Sequence, residues 1–327
     1  MNFGIIGTNF VSDRFAESAK VIKDCNLVAV CSGKIENAVS FAKRHNVTKV
    51  YNTYSDMLAQ ADIDAVYIAT PNSTHKEIAT DCIKSGKHIF CEKPMASNFD
   101  EVRELVALAK DAGVYLHEGL FPLFSDNYKK IKENLKNIGR VRQVNINMSQ
   151  YSSRYDAYLA GKNPTTFRPE LSNGALMDLG VYTLAICIDL FGVPKAVHAS
   201  SVLLESGVDV TTSVMLTYDG FIANLAVSKA SDSENRFEIC GESGMISANH
   251  PTRIKSVVLK DRINKTETEL ASGIEPDFTP EISEMMAQVA KNATESHSVP
   301  LALSLDLHNL LTKCRRLCGV KYPADKA

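Results

Sequence analysis

Apolar residues in the first third of the chain come in short runs, separated by stretches with a helical period. The runs Phe3–Ile6, Leu27–Cys31, Ala65–Ala69, His88–Cys91 and Tyr115–His117 predict strands. Between them, Arg14–Lys23, Asn37–His45, Lys76–Ser85 and Phe99–Ala112 are amphipathic at helical spacing. Strands alternating with helices of this length predict parallel βαβ units with right-handed crossovers. Gly86 and Gly113 fall just past two of the helices, where a left-handed cap is needed.

The pattern changes near Leu120. Val141–Gln150 reads as a strand, Tyr151–Glu170 as a polar, aromatic, arginine-containing stretch, and Gly174–Leu190 as an apolar helix. Strand-like segments then follow at Val197–Leu204, Val210–Tyr218, Phe221–Ser228, Arg236–Cys240, Met245–Ala248 and Ser256–Lys260. Asp219-Gly220 is placed as a hairpin turn between two of them. Consecutive strands with short turns predict a mostly antiparallel sheet. Glu281–Asn292 and Leu301–Cys318 read as closing helices, and the domain boundary belongs near residue 120.

A length of 327 residues fits two domains. Lys and Arg number 36 against 38 Asp and Glu, a balance that argues against nucleic acid as the main partner. The 8 cysteines form no CxxC pair and lack the histidine spacing of a zinc site, so no metal is expected; they read as reduced thiols of a cytoplasmic protein. Met1–Gly7 enters a strand pattern directly, with no basic leader or cleavage site. The longest apolar run, Leu184–Val193, is interrupted by Asp189, so no membrane span is expected.

Gly7-Thr8-Asn9-Phe10-Val11-Ser12 follows a strand and opens a helix, the position of a GxGxxG dinucleotide loop. Only the first glycine is present. Asn9 stands where a glycine lets backbone approach a pyrophosphate, and Asn tolerates unusual backbone geometry. Ser12 is small enough for the third position. Taken alone, the segment reads equally as a plain strand-to-helix turn. The tip of the second strand, Cys31-Ser32-Gly33-Lys34, carries no carboxylate for a ribose 2′-hydroxyl. The Ser32 hydroxyl and Lys34 ammonium suit a 2′-phosphate, so NADP is preferred over NAD.

Further motifs are Ala69-Thr70-Pro71-Asn72-Ser73-Thr74-His75, Cys91-Glu92-Lys93-Pro94 and Gly174-Ala175-Leu176-Met177-Asp178-Leu179-Gly180-Val181-Tyr182. Together with Gly4-Ile5-Ile6-Gly7-Thr8, they resemble the glucose–fructose oxidoreductase and inositol dehydrogenase (Gfo/Idh/MocA) family. The resemblance is strongest to its tyrosine-bearing dihydrodiol dehydrogenase-like members. It implies an N-terminal Rossmann domain with a doubly wound parallel sheet over residues 1–120. An α+β domain with an open-faced, mostly antiparallel sheet, for substrate and oligomerisation, follows over 121–327. The nicotinamide is expected in the cleft between them. Gly7, Thr8, Asn9, Phe10, Ser32 and Lys34, with Thr70, Pro71, Asn72 and His75, are expected to line the dinucleotide. Glu92 and Lys93 are expected near its nicotinamide end, with Pro94 often cis in relatives.

The same resemblance makes Tyr182 the proton-transferring group, with Lys93 and Asp178 beside it. An ordinary phenol is a poor base at neutral pH, and a neighbouring ammonium favours the phenolate. Asp178 would anchor either Lys93 or a substrate hydroxyl. Relatives carry a substrate-facing arginine after the Glu118-Gly119 equivalent, where this chain has Leu120-Phe121-Pro122-Leu123-Phe124. Arg154 and Arg168 are candidate replacements, or simply exposed loop charges. The activity expected is NAD(P)-dependent hydride transfer on a sugar, polyol, diol or related small carbonyl compound. The alternative is a dinucleotide-binding regulator without turnover. A homodimer or higher homo-oligomer is expected through the outer face of the second sheet, because strands such as Thr211–Tyr218 and Phe221–Ser228 are rich in apolar residues.

Overall fold

The computed structural model describes residues 1–273 and 277–325. The chain divides into two compact units, Met1–Phe121 with Asp277–Leu305, and Pro122–Pro276 with Asp306–Ala327.

The first unit runs β1 (Asn2–Ile6), α1 (Phe10–Lys20), β2 (Asn26–Cys31), α2 (Ile35–His45), β3 (Lys49–Tyr51), α3 (Tyr54–Gln60), β4 (Ala65–Ile68), α4 (His75–Lys84), β5 (His88–Glu92), α5 (Phe99–Ala112) and β6 (Leu116–Gly119). All six strands are parallel, in the order β3-β2-β1-β4-β5-β6. The order reverses between β1 and β4, the point at which open α/β sheets bind ligands at their carboxyl ends. Both faces are covered, which explains the unbroken apolar runs. Val66, Ile68, Ile89 and Cys91 join one core cluster. Tyr67 and Phe90 point the other way, where Phe15 stacks on Tyr67 with ring centroids 3.8 Å apart. Gly86 and Gly113 take φ values of 70° and 65°, as their positions past the helices require.

Residues 277–305 pack in this unit, whereas the sequence pattern assigned everything after 120 to the second domain. The reason is burial. Phe278 completes the aromatic cluster around Phe15, Tyr67 and Phe90. Glu281, on the helix Thr279–Val289, meets His117 Nε2 at 2.7 Å and accepts from the Leu120 N–H at 2.9 Å.

The second unit contains α6 (Asp126–Asn134), β7 (Val141–Ser149), α7 (Tyr155–Leu159), α8 (Val181–Phe191), β8 (Ala196–Leu203), β9 (Asp209–Thr217), β10 (Ile222–Ser228), β11 (Phe237–Gly241), β12 (Gly244–Ala248), β13 (Ser256–Asp261) and β14 (Thr266–Ser272). Its eight strands are ordered β14-β13-β12-β11-β7-β10-β9-β8, antiparallel except for β7 beside β10. Gly220 turns the β9–β10 hairpin with φ 86°.

The helical stretch Pro169–Phe191 is long and apolar enough to cross a membrane, but 78% of its apolar window is buried. That is the position of a core helix: α8 packs against β7 and β10. The apolar side chains of the hairpin, Val214, Leu216, Ala223, Leu225 and Val227, are buried. The outward positions include Ser213, Met215, Ile222, Asn224 and Ala226, beside Asn145 and Asn147 of β7. The outer face thus mixes small and polar residues with the exposed Met215 and Ile222, while period-2 alternation sends most of the apolar residues of each strand inward.

Candidate functional site

In the first unit, the candidate residues gather at the β1–β4 switch point. Gly7 follows β1 with φ 98°, and a Cβ there would sit 2.2 Å from the Ala69 carbonyl oxygen. Only glycine fits so close to the end of β4. Asn9 is not in an unusual conformation; its φ of −82° and ψ of 179° are extended. Its side chain caps α1 instead. Oδ1 accepts from the Val11 and Ser12 N–H groups at 2.9 and 3.2 Å, and Nδ2 donates to Ala69 O at 2.8 Å. Ser12 Oγ donates to Gly7 O at 2.9 Å, closing the turn. Phe10, the first residue of α1, is 70% exposed. A positive-φ glycine at the switch point followed by a helix N-terminus is a cradle that fits a pyrophosphate.

Ser32 and Lys34 follow β2, at the neighbouring strand end. The Ser32 N–H donates to Tyr51 O at 3.2 Å, and Lys34 is exposed at the entrance to α2. Nothing in this turn supplies a carboxylate. Thr70 Oγ1 lies 2.7 Å from Thr74 Oγ1, Pro71 is exposed, and Asn72 opens a short 3₁₀ turn. His75 is buried, with Nδ1 2.9 Å from Pro94 O and Nε2 2.9 Å from Thr70 O. Burial holds its pKa below the ordinary imidazole value, against the pull of the two carbonyls. The His75 ring thus lies between two strand-end loops, and in its neutral form it donates to one of these two carbonyls.

Lys93 is half-buried just past β5, in a cis peptide with Pro94. Glu92 before it is buried and accepts from the Tyr67 hydroxyl at 2.7 Å. Burial pushes its pKa up to about 7, opposed by Lys93 and the Tyr67 hydrogen bond.

In the second unit, Leu176–Gly180 forms a single π-helical turn leading into α8, with the Val181 N–H donating to Leu176 O. Such turns are frequent at functional sites. This one carries Asp178 and leads to Tyr182, which is buried. Asp209, fully buried at the start of β9, anchors the turn: Oδ2 accepts from the Leu176 N–H and the Thr212 hydroxyl, both at 2.7 Å. Burial raises its pKa.

Asp178 is ion-paired with Lys229, which follows β10. The sequence motifs had offered it Lys93 or a substrate hydroxyl. Lys229 and Asp209 both escaped sequence reasoning, since an isolated lysine or aspartate at a strand end carries no motif. Arg154 donates to Thr165 Oγ1 at 2.6 Å, and Arg168 Nε lies 3.8 Å from Glu170 Oε1. Both arginines thus have local partners on the same polar stretch.

Comparison with known proteins agrees with this architecture. Residues 1–120 match the oxidoreductase family with NAD-binding Rossmann fold, GFO_IDH_MocA, and residues 128–247 match the GFO/IDH/MocA C-terminal domain. The chain is 42% identical over 327 residues to scyllo-inositol 2-dehydrogenase (NADP(+)) IolU of Bacillus subtilis, covering 100% of both chains. It is 27% identical over 340 residues to trans-1,2-dihydrobenzene-1,2-diol dehydrogenase of Sus scrofa, covering 100% of this chain and 99% of the relative. A crystal structure of KijD10, a 3-ketoreductase from Actinomadura kijaniata in complex with NADP and TDP-benzene, superposes with a TM-score of 0.87 at 20% identity, covering 97% of this chain and 98% of that one. With the fold, the switch-point glycine and a full-length match all in agreement, this chain belongs to the GFO/IDH/MocA family of oxidoreductases.

Proposed function

We propose that the protein is an NADP-dependent oxidoreductase that moves a hydride between the nicotinamide and a carbinol or carbonyl carbon of a polyol, sugar or diol. The observation that carries this is the full-length 42% identity to an NADP(+)-dependent inositol dehydrogenase. The first unit supports it with the Gly7 cradle and with Lys34, exposed just past β2, which offers a 2′-phosphate a cation. When bound, NADP supplies or accepts the hydride. The chain's own residues handle the proton and the oxygen. Tyr182 exchanges a proton with the substrate oxygen, and the Lys93 ammonium stabilises the developing alkoxide. Asp178, fixed by Lys229, accepts from a substrate hydroxyl.

The test is NADPH formation from a panel containing scyllo-inositol, trans-dihydrodiols and aldoses, with NAD+ run in parallel. Turnover on a polyol, with kcat/KM at least about tenfold higher with NADP+ than with NAD+, is expected. Tight dinucleotide binding without turnover on any member would favour a regulator instead.

We place the protein in the cytoplasm, a reading supported by its 8 free cysteines, most of them buried. We place a second copy of the chain against the outer face of the eight-stranded sheet. Support comes from a shallow hollow of about 610 Å³ there, lined by residues including Asn145, Ser213, Met215 and Asn224. Light scattering should report a dimer or larger, and Asn224→Arg should dissociate it; a monomeric parent protein would refute the assignment.

A further inference from the structure

Lys229 is not placed as a solvated strand-end lysine. Its N–H donates to Val210 O at 2.8 Å, and its carbonyl accepts from the Ser152 N–H at 2.9 Å, so its backbone is fixed on both sides. Its side chain is 9% exposed, whereas that of its partner Asp178 is 39% exposed. The ammonium is therefore the buried member of the pair and the carboxylate the open one. A buried ammonium needs a partner to offset its lost hydration. In return, it holds the Asp178 carboxylate in one orientation.

That carboxylate opens onto a pocket of about 230 Å³ within the second unit, lined also by Gln150, Tyr151, Ser152 and Ser153. Amide, hydroxyl, carboxylate and ammonium groups dominate this lining. Such walls reward a ligand that returns a hydrogen bond for each water it displaces, and they reject one that cannot. Two adjacent groups of opposite sense, one accepting and one donating, match two adjacent hydroxyls.

We propose that this pocket is a subsite for vicinal hydroxyls of a polyol and that Lys229 is its specificity-determining residue. The ammonium holds Asp178 to accept from one hydroxyl and donates to the next. The proposal rests on the polyol oxidoreductase reading above and names the residue through which that reading selects its substrate.

The experiment compares scyllo-inositol with cyclohexanol, which keeps a reacting carbinol but lacks neighbouring hydroxyls. In Lys229→Met the stem still packs while the charge is gone. The ratio of kcat/KM for scyllo-inositol over cyclohexanol should fall at least about tenfold, mainly through a higher KM for scyllo-inositol. NADP+ affinity should match the parent protein, and Lys229→Arg should recover most of the ratio. Should Lys229→Met fail to fold, Lys229→Gln carries the same comparison.

Equal losses on the two alcohols, or an arginine variant as poor as the methionine one, would overturn the proposal in favour of a purely structural ion pair. If the parent turns over neither alcohol, the oxidoreductase reading is decided by the full panel above. The subsite is then decided by calorimetry of scyllo-inositol with parent and Lys229→Met proteins. Binding lost in the variant supports it; equal binding, or none in the parent, overturns it.

Discussion

Asn9 stands where the dinucleotide loop usually has its second glycine, and replacing it by alanine separates its two roles. The Asn9 side chain satisfies two N–H groups at the start of α1 and donates to Ala69 O at the end of β4. Loss of an N-cap costs about 1 kcal/mol, and loss of one amide–carbonyl hydrogen bond costs about 1 kcal/mol more. For a unit of this size, a total of about 2 kcal/mol lowers Tm by roughly 4–8 °C. Asn9→Asp keeps an acceptor for the two N–H groups but turns the Ala69 contact from attraction to repulsion. It also puts a negative charge where the pyrophosphate is expected. Its Tm loss should be no larger than that of alanine, while its NADPH affinity should fall at least about tenfold, the larger affinity loss of the two. Thermal denaturation and NADPH fluorescence titration read the two effects separately. An unchanged Tm in Asn9→Ala would show that the cap does not hold the loop. Parent-like NADPH binding in Asn9→Asp would place the pyrophosphate elsewhere.

Three further outcomes are expected. Lys34→Glu should weaken NADPH by about tenfold or more and leave NADH nearly unchanged, measured by paired titrations; equal losses would disprove the 2′-phosphate contact. Tyr182→Phe keeps the ring and removes the hydroxyl, so turnover should drop about 100-fold or more with little change in NADPH affinity, and Lys93→Met should act in the same direction. Glu92 has a folded pKa of about 7 against an ordinary 4.5, so the folded state holds this proton more tightly. Its contribution to stability is complete below the ordinary value and is lost as pH rises toward the folded one, on the order of 3 kcal/mol in all. Urea midpoints should therefore fall over that interval in the parent protein more than in Glu92→Gln, and identical slopes would rule out a raised Glu92 pKa.

The parallel half of the fold was legible because each strand is buried on both faces and each helix shows its period. The elements that escaped lack those signals. β3 has only 3 residues, and β14 alternates Thr and Glu with little apolar content until its end. α6 is dominated by polar residues and buries only Tyr128 and Ile131. The return of residues 277–305 to the first unit depends on long-range burial, although Glu281 within an apolar helical pattern was a usable sign of a buried partner. Asn9 was also readable: Asn just before an apolar-periodic segment is an N-cap signature, and comparison with a glycine motif obscured it. Lys229 was not. Its partner lies 51 residues away, and only the placement of β10 beside the π-turn brings the two together.

The central claim is hydride transfer from a polyol carbon to NADP+, and isotope transfer tests it most directly. The protein is incubated with NADP+ and scyllo-inositol deuterated at its ring carbons, and the NADPH formed is weighed by mass spectrometry. The account predicts NADPH carrying a single deuterium, formed faster with NADP+ than the corresponding NADH with NAD+. Unlabelled NADPH, or bound NADP+ that is never reduced by this or any other polyol, would contradict it.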